Sequence, residues 1–245
     1  HDVAAARRAL EIARSVFDRV SFDLIYARQD QGLDAWEAEL REALSYGADH
    51  MSLYQLTIED GTAFGDRFKR GGLRGLPADE LAADMYELTQ TMCSAAGLPA
   101  YEVSNHAIPG AESRHNLIYW RGGDYAGIGP GAHGRLSWQG QRWATEARRM
   151  PGDWLRAVTA GEAEVRSPLP PLDIALEYIM MGLRVAEPLD LTRLRDRTGV
   201  EIPPTAITNL EQIGMVTLDR ELLSVTPAGR PVLNAVISEL VRDLE

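Results

Sequence analysis

The chain has 245 residues, 45% of them hydrophobic and 25% charged, a globular make-up that excludes intrinsic disorder, collagen and coiled coil. Its 25 basic against 36 acidic residues give a net charge of −11, which argues against affinity built on neutralising nucleic-acid phosphates. No apolar run approaches the roughly 18 residues of a spanning helix, and the single Cys93 excludes a disulfide framework, a four-cysteine zinc site and an iron–sulfur cluster held by this chain alone.

In chain order, residues 3–17 place Val3, Ala6, Leu10, Ala13 and Phe17 at three- and four-residue spacing and predict an amphipathic helix. The start carries no signal-peptide apolar core, and with His1 in first place and a helical pattern already running at Val3 the chain reads as part of a longer one. Residues 20–26 predict a short buried strand. Residues 33–46 align Trp36, Leu40, Ala43 and Leu44 on one helical face and stop at Gly47, and 50–58 predict another strand. Strand, helix, strand in this order is the βαβ signature of a parallel sheet. A Gly/Arg-rich loop over 65–77 leads to a third helix over 78–96, stopped by Gly97.

Residues 101–140 read as a long, glycine-rich, irregular segment with a short strand at 101–103, and 136–143 as a hairpin turning at Gln139-Gly140. Prolines within 167–171 mark a boundary, because they continue neither a helix nor a central strand. Beyond it, helices over 172–184, 191–198 and 205–213, wing strands over 215–218 and 223–225, and a last helix from Pro231 make a winged-helix-like module. The expected domains are 1–166 and 167–245.

The densest chemistry lies in Arg114-His115-Asn116-Leu117-Ile118-Tyr119-Trp120. His115 could ligate a haem iron, Tyr119 and Trp120 could pack on the macrocycle, and Arg114, Arg121 or Arg135 could pair with propionates. The competing reading makes the aromatics core and His115 a hydrogen-bonded structural histidine. The loop Gly127-Ile128-Gly129-Pro130-Gly131-Ala132-His133-Gly134 leaves room for a ligand, or is a tight turn before the hairpin; it lacks the strand and helix context of a dinucleotide fingerprint and the Gly-Lys-Ser/Thr of a Walker loop. Asp23, within an otherwise apolar strand, could accept hydrogen bonds from ribose hydroxyls or an amino group, or be a buried carboxylate held by local donors. Glu59 is a weaker case, and Cys93 reads as core. The expected reading helix of the winged-helix module, with Pro203 through Gln212, carries no Lys or Arg, so the sequence predicts no nucleic-acid partner.

Several of these stretches, in this order, resemble the radical S-adenosylmethionine proteins related to oxygen-independent coproporphyrinogen III oxidase, and within them the HemW-type haem chaperones. They are Phe22-Asp23-Leu24-Ile25-Tyr26, Leu53-Tyr54-Gln55-Leu56-Thr57-Ile58-Glu59 with Gly61-Thr62-Ala63-Phe64, Tyr101-Glu102-Val103-Ser104-Asn105, His115-Asn116-Leu117-Ile118-Tyr119-Trp120, Gly123 through Gly134, Met181-Gly182-Leu183-Arg184 and Leu223 through Gly229. The resemblance implies an α/β fold: the later part of a partial (β/α) radical-SAM-type barrel, followed by a small winged-helix-like α+β C-terminal domain. It implies haem as ligand, with His115 the axial candidate and Asn116, Tyr119 and Trp120 completing the haem motif, and it assigns Asp23 to S-adenosylmethionine. It further implies delivery of haem to membrane haemoproteins by a cytoplasmic protein working at the inner face of the membrane. The alternatives are radical decarboxylation of coproporphyrinogen III, or an inactive remnant or interaction module.

Two departures qualify the resemblance. The family's CxxxCxxC motif for a [4Fe-4S] cluster is absent, so no radical turnover is expected of this chain alone. Gln29-Asp30 stands where relatives commonly carry Pro-Gly. A barrel cut part-way would also leave an unpaired strand edge, through which a homodimer could form.

Overall fold

The computed structural model describes residues 2–244 and gathers the chain into two compact units, one ending at Ser113 and the other starting at Arg114. In the first, α1 (Val3–Val16) begins at Asp2, whose carboxylate accepts from the Ala5 amide at 2.7 Å, and buries none of its side chains. Strand β1 (Ser21–Tyr26) and strand β2 (His50–Gln55) pair in parallel from Ser21↔His50 to Tyr26↔Gln55, joined by α2 (Leu33–Ser45). This is the predicted βαβ unit. Alternation along β1 turns Phe22, Leu24 and Tyr26 toward the core and leaves Ser21, Asp23 and Ile25 exposed. The core is closed by Trp36 and Leu40 of α2 and by Met85 and Cys93 of α4 (Asp79–Ala95). Trp36 stacks on Tyr26 with ring centroids 5.0 Å apart, and its indole donates to Thr89 Oγ1 at 2.9 Å.

Two expectations fail in this unit. Within the expected 65–77 loop, residues to Lys69 belong to a helix, α3 (Ala63–Lys69), which Thr62 caps by accepting from the Gly65 amide at 3.0 Å. Gly65 is a packing glycine there, since a Cβ would stand 2.2 Å from the Glu59 carbonyl oxygen. The strand expected at 101–103 forms instead as β3 (Asn105–Ala107), antiparallel to β2 with Met51 opposite His106. Glu102 folds back to accept from the Ser104 amide and the Asn105 side chain, so 101–104 turn and the ladder starts after them.

The second unit opens with α5 (Arg114–Trp120), a helix inside the segment expected to be irregular. Strands β4 (His133–Trp138) and β5 (Gln141–Ala147) form the predicted hairpin, with Gln139 and Gly140 both at positive φ as a tight primed turn requires. Helix α6 (Pro151–Ala160) leads to the edge strand β6 (Glu164–Pro168), antiparallel to β5. Helices α7 (Pro171–Gly182), α8 (Leu191–Thr198) and α9 (Pro204–Gln212), with α10 (Leu233–Val241) after a 3-10 turn, match the predicted helices within a few residues. The wing has three strands, not two: β7 (Leu189–Asp190), β8 (Val216–Asp219) and β9 (Leu222–Val225), ordered β7-β9-β8. Two residues of β7 are too few to show a period of two in sequence. Ile179, Leu183, Leu194, Leu223 and Leu240 are all but fully buried at the centre of this winged-helix-like module. Among the described residues, no helix is long and apolar enough to cross a membrane.

Candidate functional site

Helix α5 converts a sequence spacing into a geometry. His115 and Tyr119 are four residues apart and therefore share a face. Tyr119 Oη lies 3.0 Å from His115 Nε2, and the rings meet edge-on with centroids 4.7 Å apart. Tyr125 continues the row, its ring 4.3 Å from that of Tyr119 and nearly perpendicular to it. Leu117 is buried and anchors the helix, while His115 is exposed. Asn116 and Trp120, also four apart, are half-buried, and the Trp120 indole nitrogen is buried with no hydrogen-bond partner among the described residues.

Behind Tyr119 the second unit forms a partly open cavity of about 220 Å³, lined by Tyr125, Arg135, Arg142, Tyr178 and Arg197 among others. Arg135 is held by Glu177 through its Nε at 3.0 Å and its terminal nitrogen at 2.6 Å, and this pairing pushes its pKa up. Arg142, nearly buried, donates to Asp124 at 3.0 Å and to the Gly123 carbonyl at 3.1 Å. The Tyr178 ring carries two guanidinium groups, Arg193 at 5.6 Å and Arg197 at 5.9 Å from its centroid. Burial raises the Tyr178 pKa, and burial lowers that of Arg197 with Arg193 and Arg142 pushing the same way. Of the arginines expected near propionates, Arg121 is paired with Glu187 at 2.5 Å and Arg135 with Glu177; Arg114 is exposed. Arg142, Arg197 and Tyr178 escaped the sequence reading. Arg197 alone had a sequence signal, a run of arginines at 193, 195 and 197 offset by Asp190 and Asp196, while Arg142 and Tyr178 had none.

The remaining candidates separate cleanly. The Gly127–Gly134 loop is packed against itself: a Cβ on Gly127 would stand 2.5 Å from the His133 carbonyl oxygen, and one on Gly134 would stand 2.5 Å from Thr145 Oγ1 and 2.9 Å from the Gly127 nitrogen. Those two glycines serve the Tyr125↔Arg135 bridge. Asp23 belongs to the other unit and is exposed on the open face of β1, so the cost of a buried carboxylate never arises. Glu59 is exposed, and its backbone carbonyl accepts from Thr62 Oγ1 at 2.7 Å. Cys93 is buried on α4 with its thiol pushed up to about 12 by burial. The Ala27–Gln31 loop is fixed without proline: Asp30 adopts a positive φ, and its amide donates to the Gly75 carbonyl at 2.7 Å.

These donors suit one kind of iron site. A haem needs an axial nitrogen, which His115 offers. If Nε2 carries the proton and donates to Tyr119, the Nδ1 lone pair is left for a metal. A cluster needs several thiolates, and one buried thiol of raised pKa does not fit it.

The class of fold is set by likeness to a solved structure. Coproporphyrinogen III oxidase (HemN) from Escherichia coli, a radical SAM enzyme, superposes on 98% of this chain with a TM-score of 0.77 and 17% identity, the chain covering 59% of it. The HemN C-terminal domain family matches residues 169–232, within the winged-helix-like module. Relatives by sequence include the mitochondrial radical S-adenosyl methionine domain-containing protein 1 of Dictyostelium discoideum, 32% identical over 99% of this chain and 61% of that protein. The heme chaperone HemW of Mycobacterium tuberculosis is 34% identical over 97% of the chain and 59% of its own length, and that of Escherichia coli 32% identical over 97% and 62%. Together these likenesses support a HemW-like family member, related to the radical SAM coproporphyrinogen oxidases. The chain spans about three fifths of the length of these relatives.

Proposed function

We propose that this chain holds haem for a chaperone of the HemW type, which hands it to haemoproteins at the inner face of the membrane. The observation that carries the reading is the His115–Tyr119 pair, exposed on α5 beside an arginine-bearing cavity. In this reading His115 is the axial ligand, Tyr119 orients its ring, and Trp120 and Asn116 shape the contact surface. When bound, haem supplies an iron that accepts an imidazole nitrogen. The chain's own part is to present that nitrogen and to release it. Asp23, open on β1, is assigned to hydrogen-bonding S-adenosylmethionine, as half of a site whose remaining groups the described residues do not supply. The domain boundary is placed at 166/167, supported by the proline run and by the start of the family match at 169.

Titration of haemin into the purified chain, followed by the Soret band, tests the assignment. Saturable binding is expected, weakened by His115→Ala, while Tyr119→Phe, which removes only the phenol beside Nε2, should weaken it by roughly tenfold. Equal binding by wild type and His115→Ala would move the ligand elsewhere. Failure of the wild type to bind would overturn the reading for this chain.

A further inference from the structure

The cavity behind Tyr119 contains more positive charge than its ion pairs balance. Arg135 has Glu177 and Arg142 has Asp124. Arg197 has neither: its contacts are the Gly122 carbonyl at 3.4 Å and the Tyr178 ring, and no described carboxylate oxygen lies within the 4.0 Å of an ion pair. Arg193, one turn earlier on α8 and on the same ring, also lacks a carboxylate at that distance. Arg197 is exposed at the cavity's edge, where water reaches its guanidinium, so its donors stay open to an incoming carboxylate, and a guanidinium does not shed its proton in a protein.

Size and wall chemistry narrow the anion. At about 220 Å³ the cavity is smaller than the roughly 300–1,000 Å³ of pockets that enclose a whole drug-sized ligand. It therefore takes the end of a molecule. Its walls combine the rings of Tyr119, Tyr125 and Tyr178 with Met180 and Met181, so the entering arm is partly apolar and ends in charge. Tyr119 belongs to both places, touching His115 with its hydroxyl and lining the cavity with its ring.

We propose that this cavity is a carboxylate-binding subsite for a tetrapyrrole, in which Arg197 forks onto the carboxylate of one side arm while the macrocycle lies toward His115. The choice of a carboxylate rests on Arg197; the choice of a tetrapyrrole rests on the haem reading above. The arginine fork matches a planar carboxylate through two parallel hydrogen bonds. Arg142 and Arg135 already spend their donors on Asp124 and Glu177, so they shape the field and leave Arg197 to make the bond.

The test uses metal-free porphyrins, which His115 cannot ligate through iron. Protoporphyrin IX and its dimethyl ester are titrated into the full chain by fluorescence, with wild type, Arg197→Met and Arg197→Lys. The diacid is expected to bind wild type about tenfold or more tightly than the ester, one charge-assisted pair being worth that much. Arg197→Met should bring the diacid down to the level of the ester, and Arg197→Lys should restore part of the preference. A wild type that does not distinguish the two, or an Arg197→Met that still does, overturns the proposal, as does failure of wild type to bind the diacid. The wild-type ratio needs no variant, and thermal melting checks that Arg197→Met is folded. The extra affinity of haemin over protoporphyrin, and its loss in His115→Ala, is read separately, so the haem assignment and the carboxylate subsite fail on different measurements.

Discussion

The two units solve the problem of covering a sheet in different ways. In the first, the β1–β2 pair is packed on one face by α2 and α4, while Ser21, Asp23 and Ile25 stand open on the other, Ile25 at 47% exposure. In the second, the small β7-β9-β8 sheet is sealed by four helices, and Leu223 at its centre is fully buried. Parallel strands are ordinarily covered on both faces. The first unit therefore keeps its apolar contacts on one side and, on the other, buries the polar His50 and Ser52 of β2 beside the exposed residues of β1, whereas the second builds a closed core and carries the proposed His115–Tyr119 pair on a separate helix. A site on a regular helix is held more firmly than one on a loop. On the proposed reading, α5, and not the glycine loop after it, is therefore the part of 101–140 that presents a ligand.

The largest effect expected from this contrast is at the sealed core. Leu223→Ala should cost about 2–5 kcal/mol, the range for emptying a buried leucine site, while Ile25→Ser should stay within about 0.5 kcal/mol as an exposed substitution does. Urea titration of both variants measures this. Equal losses would mean that the open face of β1 is covered in solution.

Next comes His106, almost fully buried on β3, where burial, with the nearby His50, holds its pKa down at about 4 against an ordinary 6.5. The unfolded chain then binds the proton more readily than the folded one. Stability is complete above pH 6.5, falls as the pH drops toward 4, and levels off below, for a total of about 3 kcal/mol. Replacing His106 with Leu should flatten that limb of the stability–pH curve, and an unchanged curve would assign it to other groups. Smaller again is Gly134→Ala, whose methyl would meet backbone as well as Thr145. A loss of about 1–3 kcal/mol is expected from the overpacking, read as a lowered urea midpoint. A neutral result would show that the loop has slack for a ligand after all.

What could be read beforehand followed the physics of each signal. Trp36, Leu40 and Ala43 repeat at helical spacing because they face a core, and the helices of the C-terminal module were legible for the same reason. The helix α3 has too few apolar positions to show a period, and its start depends on Thr62 capping Gly65, a one-residue signal inside a Gly/Arg-rich stretch. Asp23 misled because β1 looks apolar in a row. Only the alternation of faces, which pairing with β2 establishes, reveals that it points away from the packed side. His115 and Tyr119 were found as residue types, but their contact required α5. Arg197 came to the cavity through the packing of α8 beside α7, a long-range arrangement that no local pattern encodes.

The smallest expected change in stability is the most direct probe of the open face. Asp23→Asn removes a carboxylate that solvent already covers, so the unfolding free energy from urea titration should change by no more than about 0.5 kcal/mol. His50 should respond nonetheless. Its imidazole lies between Ser21 Oγ, 2.8 Å from Nδ1, and Tyr101 Oη, 2.8 Å from Nε2, and burial lowers its pKa while the charge of Asp23 pulls it partly back. Without that charge the imidazolium loses its electrostatic support, and the His50 titration followed by NMR should shift further down in pH. A stationary His50 would mean that Asp23 extends into water away from the strand. A shift at unchanged stability would establish that the carboxylate exerts its field over the exposed face, where a bound ligand would meet it.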